Sequence, residues 1–266
     1  MTITRIFQAS IVSCILSLQI SAPASFAVET GKQVDVHLAK LLDKVASLQD
    51  PDNGDKLFAA NLELYKYLKS VVVHPQVMKD PLNKAVDKGL AVLTSNDNKL
   101  RCYSWDSLTG GTMHYFCSAI VYDAGNGKLK CEVLNPATPG GMEDPGSNFE
   151  AVDAIKTKDG KTVYVVRDLF IGGGIDHGRS IQAYVIKNGK LTKYPFFQAG
   201  RKLLDSISFG FGEYGDGTEF ELSKDLKTLK VPVIKGPADS EPGSGTATGK
   251  FLTYSFDGSK FVFKKK

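Results

Sequence analysis

Residues 118–135, SAIVYDAGNGKLKCEVLN, have the pattern of a β-hairpin. A continuous apolar run at residues 119–122 precedes Asn126-Gly127, and polar and apolar residues alternate after this pair, which accepts the positive φ angles of tight hairpin turns. Similar strand–turn–strand segments occur at residues 89–105, 151–168, 180–197, 218–234 and 250–266. They recur at about thirty to thirty-seven residues, which is shorter than the roughly forty that a four-stranded propeller blade needs.

The six segments predict an antiparallel β domain over residues 89–266. Three further turns carry the same chemistry, at Asp159-Gly160, Asn188-Gly189 and Asp257-Gly258. We predict an α+β fold in which N-terminal helices are followed by an antiparallel meander of six repeated hairpins. The meander would form a curled sheet, a barrel-like sheet or two packed layers.

The preceding segment, residues 28–88, has helical periodicity. Residues 30–49 and 55–72 each place their apolar side chains on one stripe. Asp80-Pro81 predicts the start of a short third helix, and Gly89 its end. Because apolar stripes need a partner surface, we expect these helices to pack on the sheet.

Residues 1–27 have the pattern of a secretory signal peptide. Arg5 precedes an apolar stretch over residues 6–20, and Ser25-Phe26-Ala27 predicts cleavage before Val28. The alternative is a lipoprotein signal that would anchor the chain at Cys14. We expect an exported protein, periplasmic or secreted, without a transmembrane segment after signal removal.

The charge pattern bears on partners. The formal net charge of the 266-residue chain is +4, and the three lysines at 264–266 are typical of a solvated tail. We expect no nucleic acid as a partner, because no basic stripe with interleaved aromatic residues occurs. The sequence is compatible with three kinds of partner: a small molecule, a glycan or an envelope protein.

The stretch YSWDSLTGGTMHYF, residues 103–116, concentrates aromatic side chains around a Gly pair. Folded tightly at residues 108–111, it would place Trp105 opposite His114, with Asp106 pointing to the other face. These side chains would be either core or, with Thr112 at the rim, a pocket for a sugar-like or planar ligand. The same register predicts a disulfide between Cys102 and Cys117, with Cys117–Cys131 as the alternative.

This stretch also carries a family resemblance. YSWD at 103–106, TGGTMH at 109–114 and YSFDGSKFVFK at 254–264 resemble uncharacterised secreted bacterial proteins with a YSWDxxTGGTMH signature. With hairpins in the same order, the resemblance covers most of residues 89–264. It implies the architecture and export but no catalytic residue, and the cysteines at 102 and 117 are not part of the family pattern.

Two other stretches carry candidate chemistry. GGGIDHGRS, residues 172–180, joins Asp176, His177 and Arg179, which would bind an anion or would be solvated charges of a hairpin connection. Glu213, Asp216 and Glu219 surround a Gly-rich turn and would bind calcium or form a solvated acidic turn. We expect no cofactor other than calcium.

Two functions follow from these patterns. The first is a non-enzymatic ligand- or envelope-binding module, because no catalytic signature occurs. The second is a hydrolase-like enzyme that uses His114 and His177 with Asp106 or Asp176. The second function requires that the two loops meet in space.

Overall fold

The computed structural model describes residues 29–136, 144–174, 176–212, 218–236 and 245–264. Within these ranges the helices are α1 (Gly31–Ala46), α2 (Gly54–Val71), α3 (Pro75–Lys79) and α4 (Asn83–Val86), with a 3₁₀ turn at Pro51–Asn53. The two long helices predicted from apolar stripes are confirmed. The predicted signal peptide lies outside the described residues. Each described helix falls short of the length and apolarity of a membrane span.

Helix α1 begins with a side-chain cap, and the start of the short helix α4 differs from the prediction. Thr30 and Gln33 form a capping box at the start of α1. Asp80 does not cap α4, because Leu82 precedes that helix in the left-handed region with φ of 54°. The carboxylate of Asp35 on α1 instead accepts the amides of Lys84 and Ala85. Asp35, which is distant in sequence, therefore makes the capping hydrogen bonds that the sequence predicted for Asp80.

Fifteen strands follow within the described ranges. They are β1 (Ala91–Thr94), β2 (Leu100–Asp106), β3 (Phe116–Asp123), β4 (Leu129–Asn135), β5 (Asn148–Lys156), β6 (Thr162–Ile171), β7 (His177–Lys187), β8 (Lys190–Lys193), β9 (Phe197–Ala199), β10 (Lys202–Leu204), β11 (Ser206–Phe211), β12 (Glu221–Leu222), β13 (Thr228–Lys235), β14 (Thr246–Phe256) and β15 (Phe261–Phe263).

The strands form three open sheets. The first sheet has the order β1-β2-β3-β4, and the middle sheet has the order β11-β7-β6-β5 with β8 paired to β7. The outer sheet has the order β10-β9-β15-β14-β13-β12 and contains one parallel pair, β15 with β9. The predicted α+β class with mostly antiparallel sheets is confirmed, and the sheets of the described residues do not close into a barrel. The predicted meander of six hairpins is not confirmed, because the strands divide into three sheets, β9, β10 and β11 are additional strands, and β15 pairs with β9, which is far away in sequence. The strand pairs differ in length and are distributed over three sheets, so the predicted repeat of six hairpins is not confirmed.

The sheets and helices stack in four layers. Strand β6 shows the alternation that makes this arrangement work, since Tyr164 and Val166 face the first sheet while Val163 and Val165 face the outer sheet. The helices cover the other face of the first sheet, where Tyr103 and Trp105 join their core. The middle sheet is thus buried between two sheets along most of its length.

Candidate functional site

Residues 107–115 form a longer loop than the predicted tight turn. Trp105 pairs with Cys117 and Asp106 with Phe116, and the amide of Ser107 donates to the carbonyl of Tyr115 over 2.7 Å. Leu108 takes a positive φ of 58°, and its amide donates to Oδ1 of Asp106. The predicted register, with Trp105 opposite His114, is therefore wrong.

Trp105 belongs to the core and not to a surface pocket. It is 1% exposed and packs among the residues of the helix–sheet core. Its Nε1 donates to Oδ1 of Asn61 over 3.0 Å, and Nδ2 of Asn61 donates to the carbonyl of Ser107 over 2.8 Å. Thr112 is exposed in the loop. The structure thus separates Trp105 from the surface on which Thr112 lies.

Within the described residues, Cys102, Cys117 and Cys131 are free thiols. Cys102 pairs with Ile120, and Cys131 with Val121, so neither predicted bridge has the register it needs. Cys102 also packs in the core between the first and middle sheets, whereas Cys117 packs on the helix side. Burial raises the pKa of all three thiols, which favours the unreactive protonated form.

Asp106 and His114 form a carboxylate–imidazole pair, contrary to the prediction that Asp106 points away. Nδ1 of His114 lies 2.5 Å from Oδ2 of Asp106, and the histidine side chain is 41% exposed. Because Asp106 also accepts the Leu108 amide, it fixes both the loop and the ring. The carboxylate of Asp106 therefore holds Nδ1 of His114, while the rest of the imidazole ring is partly exposed at the surface.

The two histidine-bearing loops do meet. The amide of His114 donates to the carbonyl of Ile171 over 3.0 Å, and Ile171 pairs with His177 across β6 and β7. The charge of His114 also contributes to lowering the pKa of His177. The tertiary structure therefore brings residues 107–115 to the end of the middle sheet.

His177 itself is a buried side chain. It is 4% exposed and packs against Phe211, with ring centroids 5.6 Å apart. Burial is the main cause that lowers its pKa, which favours the neutral imidazole. Asp176, by contrast, is exposed. Of the predicted pair of histidines, His114 is the one with an exposed ring.

Arg179 is a structural cation. Its guanidinium makes hydrogen bonds of 2.9–3.1 Å to the carboxylate of Glu150 and donates from Nη1 to the backbone and side-chain oxygens of Thr218. Its Nη2 also lies 3.7 Å from the carboxylate of Glu219, and the ring of Phe211 lies below the guanidinium. Because Glu150, Glu219 and Thr218 already bind the guanidinium, it is not available to the anion that the sequence predicted for it.

Of the three residues predicted to bind calcium, Glu213 and Asp216 lie outside the described residues. Glu219 is 75% exposed and pairs with Arg179. Within the described ranges, no group of three or more metal-ligating side chains is present. Calcium binding therefore stays a prediction.

A cleft of about 500 Å³ lies on the face of the middle sheet that is turned toward the first sheet, beyond the packed core. Two cross-strand rows of side chains line it. The first row is Asp168–Ser180–Ser208, and the second is Phe170–Gly178–Gly210. We call it the Asp168 cleft.

Asp168 is the most perturbed acid of this cleft. It is only 4% exposed, and its Oδ2 accepts hydrogen bonds from Oγ of Ser180 over 2.7 Å and from Nε2 of Gln182 over 3.0 Å. A side-chain hydrogen bond from Ser147 also reaches the carboxyl group. Burial raises the pKa of Asp168 despite these donors. A buried carboxyl group with a raised pKa in a cleft marks a candidate site.

A second cleft of about 340 Å³ continues from the first. The two clefts share Ser147, Asp168 and Gln182, and the second extends to Asn135 and Lys193. Asp168 therefore lines both of two adjoining clefts.

Three of the predicted site residues, Asp176, His177 and Arg179, line this cleft, but Asp168 and Phe170 were not predicted as site residues because β11 was not predicted. The segment SISFGF, residues 206–211, alternates small residues with large apolar ones. That alternation, together with Asp168 and Phe170 on one face of β6, was the available signal. The pairing of β7 with both β6 and β11 could not be predicted from this alternation.

Comparison of the chain with protein-family models, with curated proteins and with solved structures found no match.

Proposed function

We propose that the protein is an exported, non-enzymatic binding module whose ligand lies in the Asp168 cleft. The observation that carries this proposal is the buried Asp168 carboxyl group at the base of an open cleft, held by hydroxyl and amide groups. Fixed polar groups beside apolar surface are typical of small-molecule sites. Since the partners of Asp168 are donors of hydrogen bonds and not an imidazole, binding is favoured over proton transfer.

Export rests on residues 1–27. The test is a fusion of residues 1–30 to a reporter that is active only outside the cytoplasm, compared with the same fusion carrying Arg5→Glu and a charge in the apolar stretch. We expect activity in the first fusion alone. A reporter that stays inactive in the unaltered fusion would contradict export without touching the cleft.

Binding is tested by thermal unfolding of the protein with peptidoglycan fragments, free amino acids, short peptides and inorganic anions. A ligand at a hundredfold excess over its Kd stabilises the native state by about 2.7 kcal/mol. Ser208 is exposed on the edge strand β11 and lines the cleft, so Ser208→Trp should block it without disturbing the core. A stabilising ligand whose effect persists in Ser208→Trp would place the binding site elsewhere.

The Asp106–His114 pair supports a hydrolase-like enzyme as a second candidate. A carboxylate that holds Nδ1 of an exposed imidazole is the arrangement of a general base and its orienting partner. Hydrolysis of chromogenic esters, glycosides or peptides by the protein, lost in both His114→Gln and Asp106→Asn, would favour the enzyme. Activity that survives in His114→Gln would exclude this pair as its source.

A further inference from the structure

We propose that the ligand of the Asp168 cleft is a neutral sugar, with its ring against Phe170 and a hydroxyl group donating to Asp168. This inference rests on the proposed function, because it names the ligand class of the same site. Its three supports are the position of an aromatic ring, the free capacity of the carboxyl group, and the charges that border the cleft.

Phe170 supplies a fixed apolar surface. Its cross-strand partner is Gly178, and the next residue in that row is Gly210, so the row holds one ring beside two residues without side chains. A Cβ at Gly172 would lie 2.7 Å from Cζ of Phe170, so the missing side chain leaves room for the ring. Oδ2 of Asp176 would lie 2.7 Å from the same Cβ, so the half-buried ring borders the cleft beside a carboxylate. The apolar face of the ring suits the C–H face of a pyranose, and the carboxylate beside it can accept a hydrogen bond from a hydroxyl group.

Asp168 supplies the acceptor. A carboxylate offers about four hydrogen-bond sites, and three donors of the protein, on Ser180, Gln182 and Ser147, approach it. About one site remains for a donor of the ligand. Asp168 lies in the row next to Phe170 and on the same face of the sheet. One sugar ring with a hydroxyl group can span the distance between side chains in two neighbouring rows.

The charges disfavour an anion, and the burial of Asp168 favours a neutral donor at that group. An anion would meet the carboxyl groups of Asp168 and Asp176, which both line the cleft, while the guanidinium of Arg179 is engaged by Glu150 and Thr218. An ammonium group can pair with the exposed carboxylate of Asp176, but it would have to lose its hydration to reach the Asp168 carboxyl group, which is 4% exposed. A hydroxyl group makes the same hydrogen bond at a smaller desolvation cost.

The two adjoining clefts favour a ligand with more than one sugar ring. The second cleft continues from Asp168 past Ser147 toward Asn135 and Lys193, with Tyr184 also lining it. We therefore expect a disaccharide to bind more tightly than either of its single rings.

The probes of the experiment are N-acetylglucosamine, its β-1,4-linked disaccharide, glucosamine, glucuronate and sorbitol, with binding measured by titration calorimetry on the purified protein. The first two are neutral rings, the next two add a positive or a negative charge to a ring, and sorbitol has hydroxyl groups but no ring. We expect binding of the neutral rings, strongest for the disaccharide, and none of sorbitol at the same concentration.

The variants are Phe170→Leu, Phe170→Tyr and Asp168→Asn, each first checked for native circular dichroism. Removal of the ring face should weaken disaccharide binding roughly tenfold in Phe170→Leu, whereas Phe170→Tyr should change it by less than about twofold. Asp168→Asn should weaken it by at least a similar factor, because the amide replaces one acceptor oxygen with a donor. Since Phe170→Tyr keeps the ring, the test stands even where Asp168→Asn fails to fold.

Each outcome decides the inference. Binding of glucosamine or glucuronate without the neutral rings would overturn the sugar assignment and leave the binding function intact. Equal binding of sorbitol, or no loss in Phe170→Leu, would overturn the stacking role of Phe170. Absence of binding to all five probes overturns the inference, and the wider panel with Ser208→Trp then decides whether the proposed function fails as well.

Discussion

Asn61 joins helix α2 to the loop that carries His114, and its replacement by leucine tests this connection. The side chain is fully buried and makes three hydrogen bonds, to Trp105, to the carbonyl of Ser107 and to the carbonyl of Leu57. Asn61→Leu would leave Nε1 of Trp105 and the carbonyl of Ser107 without partners. The Leu57 carbonyl keeps its ordinary helical bond.

The expected cost follows from these two groups. A buried polar group left without a partner costs about 1–3 kcal/mol, so Asn61→Leu should lower the free energy of unfolding by about 2–6 kcal/mol. Urea unfolding followed by far-UV circular dichroism measures this quantity in all variants, including those without the single tryptophan.

A double-mutant cycle isolates the Trp105–Asn61 bond. Trp105→Phe removes the donor, and the double variant with Asn61→Leu removes both partners. Groups in contact usually show coupling of about 0.5–3 kcal/mol, which we expect here. An Asn61→Leu protein within about 0.5 kcal/mol of the unaltered protein, or single effects that add without coupling, would show that Asn61 does not connect α2 to this loop.

Three further predictions use single sites. Burial raises the pKa of Asp168, so the native state holds this proton to a higher pH than the unfolded chain does, and its contribution to stability falls as pH rises from the unfolded pKa through the folded one. Asp168→Asn should remove this pH dependence, which urea unfolding of both proteins across about pH 4 to 7 measures. Parallel stability curves for the two proteins would show that the pKa of Asp168 is not raised. A Cβ at Gly110 would lie 1.9 Å from a backbone carbonyl oxygen, whereas one at Gly111 would have nothing within 4 Å. Gly110→Ala should therefore cost about 1–3 kcal/mol in urea unfolding and Gly111→Ala less than about 0.5, and equal costs would contradict the loop geometry. Arg179→Gln should cost about 3–5 kcal/mol because it leaves a partly buried carboxylate without its cation. Lys230→Gln, which breaks an exposed pair, should cost less than about 1 kcal/mol, and a similar loss in both variants would argue against a structural role for Arg179.

The candidate site shows how far local pattern reaches. Asp106 and His114 are predicted from an aromatic-rich hairpin, and Asp176, His177 and Arg179 from a Gly-rich connection; the structure does bring these two loops together. Their roles were not visible, because burial of His177 and the engagement of Arg179 depend on β11 and on residues 218–219.

The Asp168 cleft shows the opposite case. Asp168, Ser180 and Ser208 lie far apart in the chain and form one row only because β6, β7 and β11 are neighbours in the middle sheet. Nothing in the sequence of β11 specifies which edge it joins, since alternation fixes the face of a side chain but not the partner strand.

The sequence by itself determined the local structure of this protein. Apolar stripes of helical period specified α1 and α2, and Asn-Gly or Asp-Gly pairs specified turns between antiparallel strands, because φ preference and side-chain period act over a few residues. Only the tertiary structure decided the rest: the three stacked sheets, the parallel pairing of β15 with β9, the burial of Trp105 and the raised pKa of Asp168. These features arise from contacts between segments remote in sequence, whose pairing is selected by how the whole set of apolar faces can be buried at once.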